Sequence, residues 1–211
     1  MLSLKDKAYQ NIKFEITIGH LKPGSFLTEE KLSKDMQMSR GPIREALNRL
    51  EKEGFVSIIP RRGTMVSNIT TQEVKDISKI REMLEPVTAK ESLSKISLPD
   101  LRTMKREFLN FLSKPETEDN KKQFFVLDEQ FHKLLHGKCG NKKLMDILDN
   151  FEDHTNWFIN LFLKNYSIKE SIKEHLSIIE AIEFRDGEQV AANLLNHLVR
   201  VKNDILSEIG A

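Results

Sequence analysis

The sequence predicts a mainly α-helical protein in two parts, a short N-terminal unit of three helices with a two-stranded hairpin and an all-helical C-terminal bundle of six helices. Apolar residues recur at intervals of three and four along most of the chain, which is the period of an amphipathic helix. Only residues 55–59 and 64–67 form adjacent β-rich runs. Beyond residue 69, segments of helical length are separated by short breaks, most of them rich in Gly, Pro, Asn or Ser, at 97–99, 114–116, 137–141, 166–167 and 186–187.

Composition narrows the class of protein. With 39% hydrophobic and 31% charged residues among 211, the chain has the balance of a folded, water-soluble domain protein. No apolar run approaches the roughly 18 residues of a membrane span, and the charged N-terminus lacks the apolar stretch of a signal peptide. We therefore expect a cytoplasmic protein. Cys139 is the single cysteine, so an internal disulfide and a cysteine-based zinc cluster within one chain are excluded.

Residues 1–68 contain the signals of a winged helix-turn-helix. A first helix is predicted from Leu4 to His20, followed by a turn at 22–24. Thr28 is placed to cap a second helix, and Ser39 a third that has Pro42 in its first turn. The two β-rich runs are joined by Pro-Arg-Arg-Gly at 60–63, which predicts a hairpin with arginines at its tip. We expect the domain boundary at 68/69, giving domains 1–68 and 69–211.

Charge supports nucleic-acid binding by the first domain. Residues 1–68 carry a net charge of +4 and the remainder −3. In a helix-turn-helix the N-terminal residues of the second helix of the pair reach base edges in the major groove. Arg40 is the first candidate for a bidentate contact with guanine, and Arg44 lies one turn further on the same face. The predicted DNA-contacting residues are Ser39, Arg40, Gly41, Arg44, Arg49, Arg61, Arg62 and Gly63.

The stretch LKPGSFLTEEKLSKDMQMSRGPIREALNRLEKEGFVSIIPRRGTMVS resembles the winged helix-turn-helix of the GntR family. The Pro23-Gly24 turn, the segment from Ser39 to Leu47 and the Arg62-Gly63 tip carry the resemblance, although Gly41 stands where relatives commonly have Thr. The resemblance implies a homodimer on a palindromic double-stranded DNA operator, because two recognition helices spaced by a helical turn match two half-sites. We expect a repressor, with an activator as the open alternative.

The C-terminal helices contain four polar residues at phases that place them inside the bundle. Asp128 and His132 are four residues apart on one helix face, while His175 and His197 each lie in an apolar stripe. Unpaired polar groups are costly in a core, and one Asp with three His suits Zn²⁺, Ni²⁺ or another divalent transition metal. His136, one turn beyond His132, is a rival ligand. His20 and His154, the remaining histidines, are expected at the surface.

Residues from about 70 to 209 resemble the helical ligand-binding domain of FadR-type GntR regulators, the FCD domain, in its six-helix VanR-like form. Asp128-x-x-Phe-His132, Glu174-His175 and the segment ending at His197 carry this resemblance. It implies a divalent metal held by Asp128, His132, His175 and His197, with a small carboxylate effector completing the coordination. It also places Arg81 beside the effector. Residues 145–164 contain no Arg, where many relatives supply one to bind a carboxylate, and Asn156 is the candidate there instead.

Three functions remain open at this point. The first is a ligand-responsive, sequence-specific transcriptional regulator, and therefore not an enzyme. The second keeps DNA binding but gives the metal a purely structural role. The third is a metal-dependent hydrolase using a Zn-bound water, which needs an inward general base near the metal. Glu174 is expected to point about 100° away from its neighbour His175, which disfavours the hydrolase.

Overall fold

A computed structural model describes residues 2–115, 117–162 and 167–209, and the backbone alone of residue 118. The N-terminal elements are α1 (Leu4–Thr17), β1 (Phe26–Leu27), α2 (Glu29–Asp35), α3 (Arg40–Lys52), β2 (Val56–Ile59) and β3 (Gly63–Val66). They are followed by α4 (Thr71–Ser92), a 3₁₀ turn (Leu93–Lys95), α5 (Leu98–Leu112), α6 (Glu118–His136), α7 (Lys142–Phe162), α8 (Ile168–Glu183) and α9 (Gly187–Ile209). The predicted mainly helical fold class is confirmed.

The start of each N-terminal helix follows from its capping residue. The side chains of Ser3 and Thr28 accept hydrogen bonds from backbone N–H groups in the first turns of α1 and α2. Ser39 occupies the N-cap position of α3, but its hydroxyl makes no capping bond and is exposed. A buried apolar stripe that includes Ile43, Leu47 and Leu50 turns α3 toward α1, and the polar face of α3 stays in water.

The predicted two-stranded wing is present, and a short third strand extends its sheet. Strands β2 and β3 form the expected antiparallel hairpin, with Val56 opposite Val66 and Ile59 opposite Gly63. Strand β1 pairs antiparallel with the other edge of β3, so the sheet order is β1-β3-β2. The predicted two-stranded hairpin is therefore confirmed, and strand β1, which extends its sheet, was not predicted. A strand of two residues is too short to show an alternating pattern, and only its pairing with β3 defines it.

The C-terminal helices pack around an aromatic core. Helix α4 packs on α9 and α6, and α8 packs on both α9 and α5. Phe108, Phe124 and Phe131 are fully buried, and the ring of Phe108 contacts the rings of the other two. Ser97 caps α5, as the break at 97–99 predicted, and the break at 186–187 separates α8 from α9. Of the other predicted breaks, Glu116 and Tyr166 lie outside the described residues.

Two compact units make up the described chain. The first comprises residues 1–70 and 156–162, and the second residues 71–155 and 163–211. The last part of α7 thus belongs to the first unit, where the ring centroid of Trp157 lies 5.6 Å from that of Phe55 and both side chains are fully buried. Asn160 donates a hydrogen bond to the carbonyl of Thr17 there. Among the described residues, no helix combines the length and apolarity needed to cross a bilayer.

Candidate functional site

The predicted DNA-contacting side chains of the first unit are all solvent-exposed. Ser39, Arg40, Gly41 and Arg44 lie at the start of α3, and Arg61, Arg62 and Gly63 lie at the tip of the β2–β3 hairpin, with Arg49 further along α3. Among the described residues, neither Arg61 nor Arg62 has a side-chain partner. The hairpin tip of this unit therefore presents two unpaired positive charges that can approach a polyanion.

Acidic residues of α2 hold the two arginines at the start of α3. Arg44 donates from Nε and Nη2 to the two carboxylate oxygens of Glu29, at 2.7 and 2.8 Å. Arg40 makes a longer contact of 3.4 Å with Glu30, and both of these side chains are mostly exposed. The hydrogen bonds from Arg44 lower the pKa of Glu29, so this carboxylate stays ionised. Arg40 is the more loosely held of the two arginines.

Arg49 is engaged within the unit. Its guanidinium lies 3.6 Å from the centre of the Tyr9 ring and donates to Glu53 at 3.0 Å. Tyr9 and Lys13 also donate to Glu53, at 2.7 and 3.0 Å. This network joins α1 to the C-terminal end of α3. Arg49 therefore stabilises the packing of α1 on α3 in addition to its predicted phosphate contact.

Gly41 and Gly63 differ in whether the surrounding space and the backbone conformation would accept a side chain. A Cβ atom at Gly41 has nothing within 4 Å, whereas Gly63 has a φ of +107°, which L-residues rarely adopt. We expect Gly41→Ala to raise the free energy of unfolding by about 0.5 kcal/mol, because Gly is a poor helix former. Gly63→Ala, the control, should lower it by about 1 kcal/mol or more. Urea denaturation of both variants tests this, and a destabilised Gly41→Ala would contradict the open environment of this position.

In the second unit, the four predicted metal ligands come together. Asp128 and His132 project from α6, His175 from α8 and His197 from α9, and all four are buried. One ligand atom from each lies within 4.8 Å of the others. Nε2 of His175 is 3.4 Å from Nε2 of His197 and 3.3 Å from Oδ1 of Asp128. Ligand atoms about 2.1 Å from a tetrahedral Zn²⁺ are about 3.4 Å apart, so these distances fit a metal ion.

Two carboxylates orient the histidine rings. Nδ1 of His197 donates to Glu174 at 2.7 Å, and Nδ1 of His132 donates to Glu85 at 2.9 Å. In the neutral form of each ring the proton is on Nδ1 and the Nε2 lone pair is available, which is the arrangement typical of metal-bound histidines. Oδ1 of Asp128 is buried without a hydrogen-bond partner. Such an orphaned acceptor is costly in a core and is satisfied by a cation.

Electrostatics favour a positive charge at His132, whereas burial lowers the pKa values of His175 and His197. Burial alone would lower the pKa of His132, but the negative charges of Glu152 and Glu85, together with that of Asp128, raise it to about 9. Burial and the neighbouring His197 instead lower the pKa of His175 well below its ordinary value. A field that favours the imidazolium form of His132 also favours a metal cation.

Arg81 lies in the same buried region and is paired internally. It donates from Nη2 to Glu152 at 2.6 Å and from Nε to Glu85. Burial raises the pKa of Glu152 to about 7, against the opposing effect of Arg81. Glu85, His132 and Glu152 also form a compact group of possible ligands, but both of its carboxylates already pair with Arg81. The predicted effector residue Asn156 belongs to the first unit, and its Oδ1 is buried without a hydrogen-bond partner.

Three sequence-based expectations differ from the structure. His136 donates to Asp149 at 3.0 Å and lies outside the four-residue cluster. His154 is only 3% exposed, so its predicted surface position was wrong; residues 152–159 of α7 are buried on several faces, which a single apolar stripe does not reveal. Glu174 was expected to point away from the metal cluster, but its carboxylate accepts hydrogen bonds from His197, a member of the cluster, and from Arg200, both on α9.

The two units together define a class of protein: a winged helix-turn-helix joined to a helical domain with a buried cluster of ligand-type side chains. Residues 4–66 match the family described as bacterial regulatory proteins, gntR family, and residues 76–200 match the FCD domain. The chain therefore belongs to the GntR family of DNA-binding transcriptional regulators, in the group that carries an FCD domain.

Relatives cover nearly the whole chain. The HTH-type transcriptional repressor RspR of Escherichia coli K12 is 26% identical over 206 residues, which is 96% of this chain and 89% of RspR. Among solved structures, Escherichia coli McbR/YncC superposes with a TM-score of 0.86 at 20% identity over 100% of both chains. A regulator from Rhodococcus sp. RHA1 gives a TM-score of 0.77 at 15% identity, covering 96% of this chain and 97% of its own. These likenesses give the hydrolase alternative no support.

Proposed function

We propose that the protein is a ligand-responsive, sequence-specific transcriptional regulator that binds a palindromic DNA operator as a homodimer and acts as a repressor. The observation that carries the proposal is the exposed arginine set at the start of α3 and at the hairpin tip, within one compact unit. Arg40 contacts a guanine edge, Arg44 contacts a base or a phosphate, and Arg61 and Arg62 contact the backbone. The name of RspR supports repression as the outcome.

The second part of the proposal is a divalent metal in the C-terminal unit, held by Asp128, His132, His175 and His197. The spacing of the four ligand atoms, the orphaned Asp128 oxygen and the orienting carboxylates support it. Three imidazole nitrogens and one carboxylate suit Zn²⁺ or Ni²⁺. The bound cation would supply a Lewis-acidic position for a ligand, while Glu174 and Glu85 keep the histidine rings oriented.

Charge balance constrains the effector. In the buried cluster, Asp128, Glu85 and Glu152 carry three negative charges in their ionised forms, and Arg81 carries one positive charge. A divalent cation would neutralise the two negative charges that remain. A small carboxylate effector therefore has to replace Glu152 on Arg81 or bind through the metal alone, because an added buried charge is costly. Asn156 remains a proposed effector contact.

Selection from random double-stranded oligonucleotides, with metal-loaded and metal-free protein, tests the DNA-binding part. We expect enrichment of a palindromic motif whose half-sites are centred about one helical turn apart. The full-length protein should be used, so that both units are present. Absence of enrichment with both forms would overturn the proposal. Native mass spectrometry of the same preparation reports the bound metal and its stoichiometry.

Glu29 offers a separate test of the recognition helix. Because Glu29 neutralises Arg44, we expect Glu29→Gln to raise affinity for non-specific DNA several-fold and to steepen its salt dependence by about one unit per protomer. Glu30→Gln is the matched control, since Glu30 is more exposed and only 3.4 Å from Arg40; its effect should be smaller. Fluorescence anisotropy over a salt series measures both, and an unchanged salt slope in Glu29→Gln would exclude Arg44 from the DNA contact.

A further inference from the structure

Helix α4 exposes an apolar stripe that is not covered by any described part of the chain. Ile80 is 37% exposed, Met83 61% and Val87 54%, and their spacing of three and four residues places them on one face of the helix. Pro86 is buried and lies outside this stripe. Single exposed apolar residues are ordinary, but a contiguous exposed stripe marks an interaction surface.

Charged residues continue the stripe at both ends. Asp76 lies four residues before Ile80, and Lys90 lies three residues after Val87. Both are exposed; within the chain, Asp76 accepts a hydrogen bond from Gln72 and Lys90 pairs with Glu188 of α9. We call the five positions Asp76, Ile80, Met83, Val87 and Lys90 the α4 seam. Their intervals of four, three, four and three residues are those of the a and d positions of a coiled coil. The seam thus has an apolar centre, an acidic end and a basic end.

We propose that the α4 seam is the surface on which a second copy of this chain docks, with the two α4 helices antiparallel about a two-fold axis near Met83. This rests on the homodimer of the proposed function and names its interface. Met83 lies seven residues from each end of the seam, so an antiparallel pair sets Asp76 opposite the partner's Lys90, and Lys90 opposite the partner's Asp76. A parallel pair sets each charge opposite its like, which is unfavourable.

The surroundings of the seam fit a helix packed against it. Helix α9 forms two ion pairs with α4, Glu188 with Lys90 and Lys202 with Glu82. Leu195 lies midway between Glu188 and Lys202 along α9 and is 38% exposed. It therefore adds apolar surface beside the seam. Such an interface is isologous, the same patch serving both copies, as a two-fold dimer requires. Two-fold symmetry is also the symmetry of a palindromic operator.

Met83→Glu tests the seam, because it places two carboxylates against each other at the two-fold axis. We expect the dimer dissociation constant, measured by analytical ultracentrifugation, to rise about 100-fold or more. Leu109→Glu is the matched control, since Leu109 is an exposed apolar residue of α5, 49% exposed, outside the seam. Met83 is itself mostly exposed, so the variant should keep the circular dichroism spectrum of the wild type.

Charge reversal tests the orientation. Asp76→Lys should weaken the dimer. Adding Lys90→Asp together with Glu188→Lys to the same chain should restore it, because the intermolecular pairs are then re-formed with reversed sign and position 90 keeps an oppositely charged neighbour at position 188. A second, independent measurement uses Met83→Cys in a Cys139→Ser background. Where the axes of two packed helices are about 8–10 Å apart, the α-carbons that face each other lie much closer, within the distance that a disulfide spans. Oxidation of Met83→Cys should therefore yield a covalent dimer, whereas oxidation of Leu109→Cys should not.

The outcomes separate the interface from the dimer itself. A wild-type protein that sediments as a monomer at micromolar concentration overturns both the homodimer and the seam. A wild-type dimer that persists in Met83→Glu, with no crosslinking of Met83→Cys, overturns the seam alone and leaves the homodimer standing. Rescue by the combined charge reversal at positions 76, 90 and 188 supports the antiparallel arrangement, and failure of rescue contradicts it.

Discussion

Replacing His175 by alanine should abolish stoichiometric metal binding. His175 is fully buried, and its Nε2 is within 3.4 Å of both His197 and Asp128, so it lies at the centre of the proposed ligand set. At free metal 100-fold above its dissociation constant, binding to the native state adds about 2.7 kcal/mol of stability. We expect the wild type to show this gain in chemical denaturation on addition of Zn²⁺, and His175→Ala to show none.

Two control variants distinguish a lost ligand from a nonspecific effect of altering the buried cluster. His136 is a buried histidine on α6 that bonds to Asp149 and is not a proposed ligand. The His136→Ala variant should therefore retain one metal ion per chain. Glu174→Gln should bind metal about 10–100-fold more weakly, because Glu174 orients His197 without being a ligand. Elemental analysis after extensive dialysis gives the occupancies. Full occupancy in a folded His175→Ala would remove this residue from the ligand set.

Replacing Arg40 by alanine should relax sequence preference. A bidentate contact with guanine is worth roughly 1–3 kcal/mol of discrimination, and a homodimer makes it twice. We therefore expect Arg40→Ala to lose about tenfold or more in the ratio of operator to non-specific affinity. Its guanidinium is well exposed and only weakly held by Glu30, so the loss of DNA contacts should dominate over any change in stability.

Arg62→Ala is the matched control at the hairpin tip. It should weaken binding to all sequences about equally and reduce the salt slope by about one unit per protomer, as expected for a phosphate contact. Competition titrations with operator and scrambled duplexes at several salt concentrations separate the two behaviours. Equal effects of both variants on specific and non-specific DNA would contradict the assignment of Arg40 to a base and Arg62 to a phosphate.

Sequence patterns predicted the fold well where the signals are local. Caps and turns of one or a few residues define the starts of α1, α2 and α5, and helical periodicity places Asp128, His132, His175 and His197 inside the bundle. Strand β1 was missed because it has only two residues and depends on pairing with β3, about forty positions away in the chain. Register between distant segments has no local signature.

The partners of the site residues could not be predicted. Glu85 bonds to His132 across 47 positions, Glu174 to His197 across 23, and Arg81 to Glu152 across 71. Each pairing depends on which helix faces pack together. Helical periodicity predicts the side of its helix on which a residue lies, but not which helix packs against that side. Burial of acidic residues is also rare unless they are paired, so composition does not anticipate Glu85 and Glu152.

Operator affinity measured with metal-loaded and metal-free protein, at one salt concentration, decides whether the C-terminal cluster regulates DNA binding. A regulatory metal predicts a 5- to 150-fold difference, equivalent to about 1–3 kcal/mol of coupling, and the same factor must appear in metal affinity when operator is bound. Equal affinities for the operator in both forms, with the protein folded and dimeric in each, would contradict a regulatory metal and leave it a structural role.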